Sequence, residues 1–176
     1  PTFTEIGRIR STQWRRGARS FQVRLLFHEL IVAKRRFVGI SGDYIIVGAS
    51  GEDTTATNSG IAYIFNVATG ALIHTLINPS NGPVGTAAND AFGSSVAISG
   101  NYAIVGAYGE DNYDAANSGM AYIFNVLTGA LVYTLDNPNA YGTGANDAFG
   151  SSVAISGNYA IVGVDREDKA GGLDSG

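Results

Sequence analysis

The chain contains no cysteine, only four prolines and only 15% charged residues among its 176. Without cysteine there is neither a disulfide framework nor a thiolate metal centre. No apolar run approaches the eighteen or so residues of a membrane span, so none is expected. The net charge of −4 lacks the basic excess that a nucleic-acid partner calls for. What the chain does have is 45% apolar residues and 24 glycines, enough for a packed core with many turns.

The few charges are unevenly placed. Nine of the eleven basic residues lie in residues 1–40, opposed only by Glu5 and Glu29, which gives that segment +7. Residues 41–176 hold Arg166 and Lys169 against thirteen acids, giving −11. Such a contrast marks two different kinds of sequence in one chain.

The acidic part repeats itself. Ser41-Gly-Asp-Tyr-Ile-Ile-Val-Gly-Ala-Ser-Gly-Glu-Asp53 returns at Ser99–Asp111 and again at Ser156–Asp168, with spacings of 58 and 57 residues. Asn58–Asn66 matches Asn117–Asn125, and Thr69–Leu76 matches Thr128–Leu135. Asn89-Asp-Ala-Phe-Gly-Ser-Ser-Val-Ala-Ile98 returns unchanged at Asn146–Ile155. Self-similarity at this period signals a repeat architecture.

Each unit predicts four short strands, at Ser95–Ser99, Tyr102–Ala107, Ala121–Val126 and Leu131–Leu135 in the best-defined copy. Ser99-Gly-Asn101 and Thr128-Gly129 are the turns between them. Alternate residues of the second strand, Tyr102, Ile104 and Gly106 against Ala103, Val105 and Ala107, are apolar or small on both sides. A sheet with one wet face would alternate with polar residues, so this one needs cover on both faces. Four-stranded antiparallel units stacked face to face meet that need. The expected fold is therefore all-β: about two and a half blades of a β-propeller, spanning 38–94, 95–152 and a partial 153–176.

Phe92-Gly93 and Phe149-Gly150, each followed by Val-Gly-Ala or Val-Gly-Val, resemble the FG-GAP repeat, which builds the propellers of integrin α-chains and of many bacterial secreted or surface proteins. The resemblance covers residues 38–176. It implies a propeller blade and a role in extracellular adhesion or binding. The integrin-type calcium loop is replaced here by Ser41-Gly-Asp43, Ser99-Gly-Asn101 and Ser156-Gly-Asn158, turns with too few oxygens for a hard cation. In this the chain is similar to the bacterial form, in which that loop is trimmed to a turn.

Chemistry is sparse. Glu52-Asp53, Glu110-Asp111 with Asp114, and Glu167-Asp168 place paired acids on one loop of every unit. Asp111 and Asp114 are the candidate ligands if calcium binds, and no other metal, cofactor or catalytic residue is assigned. The alternative reading of these acids is a solvated loop whose carboxylates accept backbone amides. Asp90 and Asp147 read as turn-closing residues, Phe92 and Phe149 as blade-core anchors, and His74 as an edge-strand packing residue. His28 has no partner nearby in sequence, so the two histidines make neither a metal cluster nor a triad. Ser94-Ser95 lacks the glycine and the helix of a nucleophile elbow.

Residues 1–37 do not follow the repeat. They read either as a basic amphipathic helix around Phe21–Phe37 or as a segment translated from another frame of repeat-encoding DNA. Closing a propeller of 58-residue blades calls for a parent chain of about 400 residues, so a fragment is expected. The function anticipated is non-enzymatic recognition of a protein or glycan outside the cell or at its surface. The loops Asp53–Asn58, Asn78–Ala88 and Asp111–Asn117 would present it. The alternatives are an accessory propeller of a secreted enzyme, and chains that assemble into a ring through open blade faces.

Overall fold

The computed structural model describes residues 36–79, 88–111, 115–138 and 145–167. Ten strands form three antiparallel sheets, and the described residues contain no helix. The first sheet holds β1 (Arg36–Ser41), β2 (Tyr44–Ala49), β3 (Ile61–Asn66) and β4 (Leu72–Ile77) in sequence order. The second repeats it with β5 (Ser95–Ser99), β6 (Tyr102–Ala107), β7 (Met120–Asn125) and β8 (Leu131–Asp136). The third is a hairpin of β9 (Ser152–Ser156) and β10 (Tyr159–Gly163). The expected strands are all present, within a residue at their ends. Val126 falls just outside β7 because its N–H leaves the ladder and donates to the Asn101 carbonyl at 2.8 Å.

The turns form as their residues dictate. Ser99 pairs with Tyr102 across Gly100-Asn101, and Gly100 takes φ +55°, the left-handed conformation that a two-residue hairpin needs. Between β7 and β8 the Asn125 side chain accepts from the N–H groups of Leu127 at 2.9 Å and Thr128 at 3.1 Å. Asn66 does the same for Ala68 and Thr69, each at 3.0 Å, so the repeat keeps its turn chemistry as well as its strands.

The two faces of β6 enter two different cores. Ala103, Val105 and Ala107 join Ile46, Ala62, Ile64 and Leu76 of the first sheet, with Phe92, Tyr122 and Phe124. Ile104, on the other face, joins Ala121, Ile123 and Phe149 against Val153, Ile155 and Val162 of the third sheet. Apolar residues on both sides of a strand are thus satisfied by a sheet on each side. Phe92 is fully buried, its ring 5.8 Å from Tyr122 and 6.1 Å from Phe124, while Phe149 is 8% exposed. Both are the core anchors that the sequence suggests.

β1 begins at Arg36, two residues ahead of the boundary placed at Val38. The rest of the basic segment lies outside the described residues, with His28 and most of the Phe21–Phe37 stretch. So does most of the Asn78–Ala88 loop.

Candidate functional site

The first strands of the three sheets lie side by side, β1 against β5 and β5 against β9. At one end of them, the loops that follow β2, β6 and β10 meet the Asn-Asp-Ala-Phe-Gly turns that precede β5 and β9. A cavity of about 520 Å³ opens there. Its walls carry the hydroxyls of Ser50, Ser94, Ser151 and Tyr108 and the side-chain amides of Asn89, Asn117 and Asn146. Phe37, Asp165 and Arg166 complete it with one ring and one pair of charges. Its size suits a small ligand or a protruding loop, and its lining favours a ligand rich in hydroxyl or amide groups.

The frame of this site repeats and its contents vary. In the first two units an Asp holds the loop: Asp53 Oδ1 accepts the Asn58 N–H at 2.7 Å, and Asp111 Oδ1 accepts the Asn117 N–H at 2.7 Å. The Asn58 amide then donates to Asn89 Oδ1 at 3.1 Å, and the Asn117 amide to Asn146 Oδ1 at 3.2 Å, tying each loop to the next turn. Inside that frame Ser50, Tyr108 and Asp165 occupy one repeat position, and all three line the cavity. Aligning the units would have marked this position from sequence, since a varying residue between near-identical neighbours is a signal in itself.

Asp90 and Glu110, separate in sequence, meet in the structure. Asn78 Nδ2 donates to Asp90 Oδ2 at 2.9 Å and to Glu110 Oε2 at 2.5 Å. Asp90 is only 5% exposed and Glu110 only 3%. Burial, and then the neighbouring Glu110 and Asp111 carboxylates, push the Asp90 carboxyl up to about 7, with the Asn78 amide opposing. The next unit repeats the first half of this arrangement, Asn137 Nδ2 donating to Asp147 Oδ2 at 2.8 Å. Asp90 therefore does more than close a turn. It joins the end of β4 in one sheet to the loop after β6 in the next.

The remaining candidates have structural partners. Asp111 serves its own loop as above, and Asp114 lies outside the described residues. Among the described residues no three His, Asp or Glu side chains gather where a metal ion could sit. Ser94 Oγ donates to the Gly106 carbonyl at 3.3 Å, and Ser95 Oγ to the Gly150 carbonyl at 2.7 Å, so both hydroxyls tie backbone together. His74, on the outer strand β4, reaches the Leu127 carbonyl of the next sheet with Nε2 at 3.2 Å.

The repeated sheets, the Phe-Gly turns and the Gly-Ala strand ends all point the same way. Residues 36–65, 83–124 and 139–176 match the FG-GAP repeat. The chain belongs to the FG-GAP repeat family. No curated protein matches it. Among solved structures, the computationally designed Ika8 protein is similar at 15% identity, with a TM-score of 0.48 over 74% of this chain. This FG-GAP chain spans 30% of that protein's length. No described helix is long and apolar enough to cross a membrane.

Proposed function

We propose that these FG-GAP repeats form a non-enzymatic recognition module of a secreted or cell-surface protein, whose ligand enters the cavity at the converging loops. The observation that carries this reading is the convergence of Ser50, Tyr108 and Asp165 on one cavity, framed by hydrogen bonds that recur from unit to unit. A catalytic site needs one arrangement of reactive groups. A recognition site gains from a fixed scaffold bearing interchangeable side chains, and that is the pattern here.

The lining narrows the ligand class. Amides and hydroxyls with one tyrosine ring suit the hydroxyl edges and apolar face of a sugar, or a polar turn of a protein. In this reading Asp111 holds its loop and does not bind calcium. Screening the chain against a glycan array and a displayed peptide library tests it. Binders that are lost with Tyr108→Ala or Asp165→Ala support the reading, since both side chains line the cavity without serving its frame. Binders that survive both changes would place recognition elsewhere.

A further inference from the structure

Asp90 and Glu110 join the first two sheets, and each is the chain neighbour of residues that wall the cavity. Asn89 precedes Asp90, Tyr108 and Gly109 precede Glu110, and all three line it. The two walls touch. The Gly109 N–H donates to the Asp90 carbonyl at 3.1 Å, and a Cβ on Gly109 would lie 2.1 Å from the Asn89 carbonyl oxygen.

The acid side chains meet as closely as the backbones. Both are buried, and the Asn78 amide, which carries two hydrogens, donates to both. Asp90 and Glu110 also hydrogen-bond to each other. Carboxylates only accept, so that bond needs one proton held between them. Around Asp90, Glu110 and Asp111 on the turn after β6 oppose its charge, and Asn78 at the end of β4 favours it. The loop after β2 packs on Asn89 through the Thr57 carbonyl and brings Glu52 and Asp53, the latter engaged with the Asn58 N–H. His74 lies toward the start of β4 and bonds to the Leu127 carbonyl. No cation is among the groups that act on Asp90.

We propose that this shared proton latches the Ala107–Glu110 turn to the Asn89–Asp90 turn, and that its loss frees Tyr108 and Asn89 from their places in the cavity wall. Without the proton, two buried anions face each other, and separating the turns relieves their repulsion. The Asp90 carboxyl titrates at about 7, so the latch holds below that pH and opens above it. A ligand that needs both walls then binds the latched form and favours the proton in return. That consequence rests on the recognition reading above; the latch itself does not.

The turn can be followed with no ligand present. In a chain carrying Trp14→Phe and Tyr108→Trp, the single indole sits at position 108 and reports its own exposure. Acrylamide quenching of its fluorescence should rise severalfold from about pH 5 to about pH 9. Exchange of the Gly109 amide, relative to its intrinsic rate at each pH, gives the same readout in the unmodified chain. Asp90→Asn, whose amide donates to Glu110 in place of the proton, should keep quenching at its low-pH level throughout. Glu110→Gln should do the same, and stands in if the first variant fails to fold. Asp147→Asn, at the junction of the second and third sheets, should leave the titration unchanged. Quenching and Gly109 exchange that ignore pH, or a titration that survives Asp90→Asn or Glu110→Gln in a folded chain, overturn the proposal. Ligand screens that fail while the indole titrates count against the recognition reading alone.

Discussion

Strands β5–β6 and β9–β10 compare the same sequence in two surroundings. Ser95–Gly106 and Ser152–Gly163 are identical residue for residue. Ile104 is fully buried, whereas Ile161 is 71% exposed. β6 is paired on both edges, by β5 and β7; β10 is paired only by β9 among the described strands. Sequence sets the strand, the turn and the register in both places. Burial comes from the neighbour. A blade of this repeat is therefore half of an interface, and its stability resides as much in what stacks against it as in its own residues.

The largest expected effect is at the identical isoleucines. Ile104→Ala should cost about 2–5 kcal/mol, because a filled core position becomes a cavity. Ile161→Ala should stay within about 0.5 kcal/mol at low protein concentration. Urea denaturation of the two variants gives both values, and equal losses would break the comparison. The glycines that follow sharpen it. A Cβ on Gly106 would lie 2.1 Å from the Gly150 carbonyl oxygen, a backbone atom that cannot swing away. A Cβ on Gly163 would meet only the hydroxyl of Ser152 at that range, and this side chain can rotate. Gly106→Ala should cost about 3 kcal/mol and Gly163→Ala about 1 kcal/mol or less, read from the same denaturation curves.

Asp90 links the first two sheets and makes their stability depend on pH. Its carboxyl is raised from 3.8 to about 7 on folding. A raised value stabilises the fold fully below about pH 4, where both states hold the proton, and that gain fades as pH rises toward 7. Asp90→Asn, whose amide can donate to Glu110 as the acid proton does, should raise the melting temperature relative to wild type at pH 8. The advantage should be on the order of 1–3 kcal/mol and should shrink at pH 5. Calorimetry at the two pH values checks this. A constant difference between them would show that Asp90 does not exchange its proton in this range.

The smallest effect concerns the turns. Ala91 and Ala148 hold φ +56° and +59°, a left-handed conformation that costs a residue bearing a Cβ about 1 kcal/mol. Ala91→Gly and Ala148→Gly should each recover part of that, a gain of about 0.5–1 kcal/mol offset by the freedom glycine adds to the unfolded chain. Thermal melts decide it. Destabilisation at both sites would mean that the alanine methyls contribute packing the backbone angles do not reveal.

The fold was legible because every local signal agreed. Gly100-Asn101, the alternation in Tyr102–Ala107 and the Phe-Gly anchors each specify one outcome, and the repeat states it more than once. The sandwiched nature of the sheets could be read from apolar residues on both faces of β6. The site was less legible. Asp90 and Glu110 are twenty residues apart in sequence and meet only because the loop after β6 folds back on the turn before β5, through the Gly109 N–H to the Asp90 carbonyl at 3.1 Å. The cavity draws single residues from loops of three units. A strand carries its period in its own sequence, but a convergence of loops has none, and it shows only in how the units differ.

Native-state hydrogen exchange of Tyr102–Gly106 against Tyr159–Gly163 tests the central claim most directly. The two pentapeptides are identical, so their intrinsic exchange rates match and any difference reports surroundings alone. At low protein concentration the first set should be protected by orders of magnitude more than the second. Equal protection would contradict the view that these sheets are held by the neighbours stacked against them.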